Sequence, residues 1–423
     1  MRRVTKEPFE TGGLDWPALF IYLAMICLGW LAIYSAVYDA KNPVFFNPDS
    51  SSGRQLIFIG ISLLLGIVLL IIDAKFYSAF AYFFYGLAIL LCIAVIFIGS
   101  ETKGAKAWFT IGSFKFQPVE LAKFATALAL GKYLGHYDIS FKDLKTKLIS
   151  FLLFLVPMAL VLLQNDTGSA LVFLAFFLVL YREGLPTILI VSGIFLAVLF
   201  ILALLVSKLY IVIALGTIAA ISAYAFRKSR QALLVVLVSL ALSVGFVYTV
   251  DYLFYNVLQE HQRARITVLF GTGGDDWNVR QSMIAIGSGG FLGQGYLNGT
   301  QTKGNFVPEQ STDFIYCTIG EEIGFLGAGF VVLLFVFLMI RLVYIAERQK
   351  NKFSRIYAYS VACIFFVHFT INIGMTIGLM PVIGIPLPFF SYGGSSLLGF
   401  TLLLFTLLKL DANRVNEMMS IKD

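Results

Sequence analysis

The chain has 423 residues, of which 59% are hydrophobic and 13% charged, against roughly 25% charged residues in soluble domains. Too few polar side chains are available to cover a core, which excludes a water-soluble globular fold. The net charge of +7 does not point to a nucleic-acid partner, because the basic residues lie in short loops between apolar runs, where they orient a membrane protein.

Apolar runs recur along the chain, each about 20 residues and long enough to cross a hydrocarbon core. They are continuous rather than alternating, so the spanning form is helical and not a closed barrel. The first run, 16–38, follows a basic start (Met1-Arg2-Arg3) and has no small-residue cleavage site after it, so it reads as a retained span. Further spans are expected at 54–73, 77–98, 117–135, 147–165, 167–182, 186–206, 208–226, 231–250, 312–341, 356–380 and 386–409. The expected fold class is an all-α polytopic membrane protein with about 10–12 transmembrane helices, forming one membrane domain over 1–423.

Basic clusters set the orientation. Lys142, Lys145 and Lys147, then Arg227, Lys228 and Arg230, then Arg348, Lys350, Lys352 and Arg355 are expected on the cytoplasmic side, with both termini. The long connection 251–311 is then an extracytoplasmic loop. Its length marks it as functional, and apolar residues such as Met283, Ile284, Ile286, Phe291 and Leu292 suit the lipid headgroup region. The four cysteines, Cys27, Cys92, Cys317 and Cys363, fall in expected spans without metal-ligand spacing and read as buried small apolar residues. His136, His261 and His368 form no metal cluster in the sequence.

Charges at the ends of spans need a reason. In Gln117-Pro118-Val119-Glu120-Leu121-Ala122-Lys123, proline marks the first turn of a helix. Glu120 and Lys123 share a face three residues apart, either as a self-neutralising pair or as the polar wall of a cavity that receives an anion. In Gln164-Asn165-Asp166-Thr167-Gly168-Ser169, Asp166 either caps the next helix or lines that cavity. His261-Gln262-Arg263-Ala264-Arg265 places two arginines outside, where they hold a phosphate or anchor to headgroups.

Pro308-Glu309-Gln310-Ser311-Thr312-Asp313-Phe314, followed by Gly320-Glu321-Glu322-Ile323-Gly324, is the most informative stretch. Ser311 or Thr312 is the expected N-cap, which would put Asp313 in the first helical turn. There Asp313 either complements the helix dipole or, with Phe306, Phe314 and Ile315 limiting water, serves as a catalytic base. At the start of the last span, Ser391-Tyr392-Gly393-Gly394-Ser395-Ser396 suits close helix contact or, through Ser391 or Tyr392, a polar substrate contact.

In order along the chain, these motifs resemble the SEDS family, with the RodA branch matched more closely than the FtsW branch. The match rests on Gly104-Ala105-Lys106-Ala107-Trp108, the stretches 117–123 and 164–168, Gln281–Gly290, Gly299-Thr300-Gln301, Pro308-Glu309 with Thr312-Asp313-Phe314, and Ser391–Ser395. It covers nearly the whole chain. The resemblance implies a peptidoglycan glycosyltransferase that polymerises lipid II on the outer face of the bacterial inner membrane, with undecaprenyl pyrophosphate as leaving group. It makes Asp313 the essential carboxylate, and Lys106, Gln117, Glu120, Lys123, Asp166, Arg263, Arg265 and Glu309 the candidate substrate contacts. It implies a class B penicillin-binding protein as transpeptidase partner, seated in a lipid-facing groove, together with other elongation-complex proteins and membrane lipid. No organic cofactor is implied; a divalent metal, Mg or Mn, would suit the pyrophosphate, without assignable ligands. The sequence departs from the family pattern at Ala107, Val119, Asn165 and Ser311, and 186–250 resembles an extra helix pair. A flippase for lipid-linked precursor and a non-catalytic scaffold for the transpeptidase remain open alternatives.

Overall fold

The computed structural model describes residues 13–38, 47–102, 104–112, 114–136, 139, 141, 143–256, 277–304 and 306–420. The first half contains α1 (Trp16–Ala36), α2 (Ser51–Ile71), α3 (Ala74–Ala79), α4 (Ala81–Ile98), β1 (Ser100–Thr102), β2 (Ala105–Ile111), β3 (Phe114–Phe116), α5 (Pro118–Leu134), α6 (Leu144–Leu163), α7 (Thr167–Val172) and α8 (Ala175–Arg182). The second half contains α9 (Thr187–Leu205), α10 (Lys208–Ala225), α11 (Arg230–Asn256), α12 (Trp277–Ser288), α13 (Thr300–Lys303), α14 (Ile315–Glu347), α15 (Lys352–Thr376) and α16 (Gly394–Ser420).

Local chemistry sets several helix starts. The Asp15 carboxylate accepts from the Ala18 amide at 3.1 Å ahead of α1, and Ser50 Oγ accepts from the Gly53 amide at 3.1 Å ahead of α2. Such caps satisfy amides that a helix end leaves open. Pro118 opens α5 as its sequence position requires.

The protein is a multi-pass membrane protein. Among the described residues, nine helices are long and apolar enough to cross a membrane: α1, α2, α4, α6, α10, α14, α15, and the parts Arg230–Val250 of α11 and Gly394–Arg414 of α16. The other three expected spans correspond to shorter or interrupted helices. The 117–135 stretch is α5; 167–182 tightens at Phe173 and Leu174 and divides into α7 and α8; 186–206 is α9.

The chain divides into two compact units, Met1–Gly184 with Trp277–Asp423, and Leu185–Asp276. In the larger unit α5, α15 and α16 are central. The spanning windows of α15 and α16 are 67% and 72% buried, against 22% for α2 and α4. Residues such as Leu64, Phe83, Leu90, Phe97 and Ile98 are exposed, an arrangement that water would penalise and hydrocarbon does not. In the smaller unit, Leu199, Ile211 and Val247 of α9, α10 and α11 form a small apolar cluster. This unit occupies the region expected to hold an extra helix pair.

Three features depart from the sequence reading. First, a three-stranded antiparallel meander, β1–β2–β3, follows α4, with Phe109 paired to Phe116. Second, the segment 251–311 is not a plain loop: α11 extends to Asn256, and α12 buries Gln281, Ser282 and Ala285, with Ser282 Oγ donating to the Thr376 carbonyl at 3.0 Å. Third, Cys27 is exposed, whereas Cys92 and Cys317 are buried and Cys363 is intermediate; Cys27 lies on the outward face of α1.

The long α14 is also broken. Gly324 sits at φ 70°, ψ −162°, and a Cβ there would fall 2.3 Å from the Gly293 nitrogen. The break frees backbone groups that pair with the preceding segment: Gln294 and Gly295 amides donate to Glu321 and Glu322 carbonyls at 3.0 Å, and the Phe325 amide donates to Gly290 at 2.9 Å. The uninterrupted crossing is therefore 325–347, about 34 Å at ~1.5 Å per residue, rather than 312–341.

At the Asp15 end of α1 the larger unit is closed by charge. Asp15 accepts from Arg341 at 2.8 Å and from Arg348 at 2.6 Å, and Arg348 also binds Asp411. Gln349 and Arg414 complete the Asp411 set at 2.7 and 3.2 Å. Burial by itself would raise the Asp15 carboxyl, but bonds from Arg341 and the Ala18 amide, with the two arginine charges, hold it below its ordinary value.

Candidate active site

The turn before α14 is built by backbone capture. Glu309 adopts φ 53°, and its carbonyl accepts from the Thr312 and Phe314 amides at 3.1 and 3.2 Å. Thr312 Oγ1 donates to Glu309 Oε2 at 3.0 Å. The three successive carbonyls of Ser311, Thr312 and Asp313 are each taken by a donor from elsewhere in the chain: Ser311 by the Tyr392 amide at 2.8 Å, Thr312 by Ser391 Oγ at 2.5 Å, and Asp313 by Asn372 Nδ2 at 2.9 Å.

Carbonyls engaged in this way are lost to a helix, so α14 begins only at Ile315, with Phe314 as an N-cap that makes no side-chain cap bond. The expectation of a Ser311 or Thr312 cap with Asp313 in the first turn is therefore corrected. Asp313 is half-buried two residues before the helix. Beneath it Phe314 is packed with Ala285, Val307 and Cys317, while Phe306 is exposed. Gly384, at φ 74°, passes so close that a Cβ would lie 3.3 Å from Asp313 Oδ2. A larger residue there would be strained and would crowd the carboxylate.

The second cluster is a sealed ion pair. Lys123 is 1% exposed; its Nζ lies 2.9 Å from both Glu120 oxygens, 3.0 Å from His368 Nε2 and 5.1 Å above the Phe400 ring. An ammonium only donates, so His368 Nε2 accepts and the ring proton sits on Nδ1, which donates to the Pro386 carbonyl at 3.1 Å. The histidine is thus the neutral Nδ1–H tautomer. Of the two sequence readings, the geometry matches the self-neutralising pair: Lys123 meets an anion, and that anion is Glu120.

The third cluster joins Gln117 and Asp166. Asp166 Oδ1 accepts from the Ser169 amide at 3.0 Å, capping α7, and Oδ2 accepts from Gln117 Nε2 at 2.7 Å. The Gln117 amide donates to Ser395 Oγ at 3.0 Å. Lys106, on β2, is tied to this region through its amide, which donates to the Gln164 carbonyl at 2.9 Å; its ammonium instead reaches the Phe97 carbonyl at 3.0 Å.

A fourth set had no role assigned in the sequence. Glu321 is fully buried and accepts from Thr300 Oγ1, the amides of Gln301 and Thr302, and Thr302 Oγ1, at 2.6–3.2 Å. Glu322 accepts from Ser35 Oγ and lies 3.8 Å from Lys303 Nζ. Lys303 donates to the Ser35 carbonyl, and Gln310 Nε2 to the Ala36 carbonyl at 2.8 Å, so the end of α1 is gripped from both sides of 303–310. Burial pushes the Lys303 ammonium below its ordinary range, with Glu322 and Glu321 opposing.

The segment 381–396 ties these clusters together: Ser391 reaches the Asp313 turn, Ser395 the Gln117–Asp166 pair, and the Pro386 carbonyl the His368–Lys123–Glu120 set. All four non-glycine residues with positive φ among the described residues, Asn165, Leu297, Glu309 and Phe389, lie in or beside the sequence motifs, where backbone strain concentrates at functional sites. Ser391 Oγ is engaged structurally, on the Thr312 carbonyl, and Tyr392 gives its backbone amide to Ser311. His261, Arg263 and Arg265 lie outside the described residues. Among the described residues no group of three His, Cys, Asp or Glu side chains fits a metal ion, so no resident metal set is assigned. His368 and Asn372 were hidden in the sequence because each sits alone in an apolar run; their four-residue spacing on one helix face was the available signal.

Comparison with known proteins is consistent along the chain. The family described as cell cycle protein FtsW/RodA/SpoVE matches residues 17–230 and 210–416. The chain is 31% identical to the peptidoglycan glycosyltransferase MrdB of Escherichia coli (strain K12) over 91% of its length and 90% of that protein. It is 31% identical to the peptidoglycan glycosyltransferase RodA of Treponema pallidum (strain Nichols) over 90% and 94%. Among solved structures, a chain of a peptidoglycan synthase complex that coordinates polymerization and crosslinking aligns with TM-score 0.70 at 26% identity, covering 95% of this chain and 98% of that one. The rod shape determining protein RodA of Thermus thermophilus aligns with TM-score 0.62 at 27% identity, over 95% and 97%.

Proposed function

Because the chain belongs to the FtsW/RodA/SpoVE family, as an elongation-associated peptidoglycan glycosyltransferase of the RodA/MrdB type, we propose that Asp313 is its general base and lipid II its substrate. Asp313 takes the proton from the acceptor sugar hydroxyl. The resulting oxygen attacks the anomeric carbon of the donor, a glycosidic bond forms, and the bond to undecaprenyl pyrophosphate breaks with its electron pair. The observation that carries this reading is the half-buried carboxylate on a turn whose three successive carbonyls are fixed from outside, since positioning accounts for much of catalysis between bound reactants.

Arg263 and Arg265 are assigned to the pyrophosphate by their forked donors; Lys123, buried and paired with Glu120, serves the site through His368 rather than by touching substrate. Glu309, Gln117, Asp166 and Lys106 shape the surroundings of the bound sugars. A divalent metal, Mg or Mn, would supply charge neutralisation at the pyrophosphate, with no ligand set assigned to it among the described residues. We place the protein in the bacterial inner membrane with both termini cytoplasmic and Asp313 outside. In support, Arg348 pairs with Asp15 at the start of α1, with Lys352 and Arg355 following it closely in the chain, and the Asp313 turn sits at the Ser35–Ala36 end. The similarity to a synthase-complex chain supports a class B penicillin-binding protein as partner.

The test is purified protein in vesicles with lipid II and no nucleotide. Glycan polymer that disappears with Asp313→Ala is expected. Transfer of lipid II between leaflets without polymer would instead establish a flippase, and neither activity a scaffold.

A further inference from the structure

We propose that His368 and Asn372 of α15 are positioning residues for the reaction, acting as a two-point rib that holds the 381–392 segment against the Asp313 turn. The inference rests on Asp313 being the base and adds the groups that place it. Asn372 is fully buried, and its Nδ2 donates both hydrogens: one to the Asp313 carbonyl at 2.9 Å, the other to the Ile385 carbonyl at 2.7 Å. One helical turn earlier, His368 donates from Nδ1 to the next carbonyl, Pro386, at 3.1 Å. Two side chains four residues apart share a helix face, so the rib grips two consecutive carbonyls of 381–392 and one of the catalytic turn.

Two observations separate this from ordinary packing. Asn372 leaves its own Oδ1 buried and without a hydrogen-bond partner. Leucine, of similar volume, would pack there with no orphaned acceptor; what the amide adds is its two donors. His368, for its part, is fixed in the donor tautomer by the buried Lys123 ammonium on its other nitrogen. The Glu120–Lys123 pair therefore has a defined consequence: it dictates which nitrogen of His368 carries the proton that meets the Pro386 carbonyl. The segment so held carries Gly384, next to Asp313 Oδ2, and Ser391, which takes the Thr312 carbonyl.

The experiment measures kcat and KM for lipid II polymerisation by the full chain in detergent or vesicles. Asn372→Asp keeps shape and removes both donors; His368→Phe keeps the ring and removes both bonds; His368→Gln keeps one acceptor and one donor. Because an ångström of misplacement can cost about a hundredfold, Asn372→Asp and His368→Phe should lower kcat roughly 10- to 100-fold with KM little changed, while His368→Gln restores most of it. Ser391→Ala, a smaller deletion on the same segment, serves as a second variant if either of the first two fails to fold, and should also lower kcat rather than raise KM. Folded Asn372→Asp and His368→Phe proteins with kcat within about twofold of the parent overturn the proposal, as does an unchanged kcat in Ser391→Ala. Activity surviving in Asp313→Ala would instead remove the reading beneath it.

Discussion

The two ends of α1 are held by different chemistry. At the Asp15 end, guanidinium groups that keep contact with water bind enclosed carboxylates, Asp15 and Asp411. At the Ser35–Ala36 end, α1 is held by Lys303, Glu322 and the Gln310 amide, while the adjoining Asp313 turn is held by neutral donors on its carbonyls, and the Glu120–Lys123 pair is sealed inside the helices. A charged network fastens a terminus to the last helix but projects a field. Neutral donors fix the backbone of the turn that carries Asp313 without adding charge there. The lesson is that the site end is organised for placement and the far end for closure.

This contrast gives a graded set of expectations. The largest stability effect belongs to the sealed pair: Lys123→Met leaves Glu120 buried and uncompensated and should cost about 3–5 kcal/mol, read as a lower unfolding midpoint in detergent. Adding Glu120→Leu should recover most of it. Asp15→Asn comes next, at about 1.5–3 kcal/mol, the range for hydrogen bonds to charged groups. The folded Asp15 carboxyl lies below its ordinary value of about 3.9. Its contribution is therefore complete above that value and is lost as pH falls through the lowered folded value, and Asp15→Asn should flatten that acid limb of the stability curve.

Ser391→Ala should cost stability only about 1 kcal/mol while its loss of turnover is much larger, which sharpens the distinction between placement and closure. Smallest of all, Glu347→Gln breaks an ion pair with Arg182 in which both side chains are about half exposed. It should leave the midpoint unchanged, because solvent screens such pairs.

Much of this was legible in the sequence. Continuous apolar runs gave the spans, Pro118 gave the start of α5, and Asp166 at a near-zero-length connection gave a helix cap. The Asp313 turn was misread because local capping rules see Ser311 and Thr312 and cannot see Tyr392, Ser391 and Asn372 arriving from later in the chain to occupy the carbonyls. The break in α14 was hidden for a similar reason: Gly324 looks like one more small residue until Gly293 packs against it. Helix periodicity likewise says nothing about which isolated polar residue in an apolar run will meet a partner, as His368 meets Lys123 across 245 positions.

The most direct test is single-turnover polymerisation by Asp313→Asn, which preserves shape and hydrogen bonding but removes the base. Lipid II binding should persist while the chemical step slows by about 10²- to 10⁴-fold, the usual contribution of a general base. A variant that binds substrate and polymerises at the parent rate would contradict the assignment of Asp313.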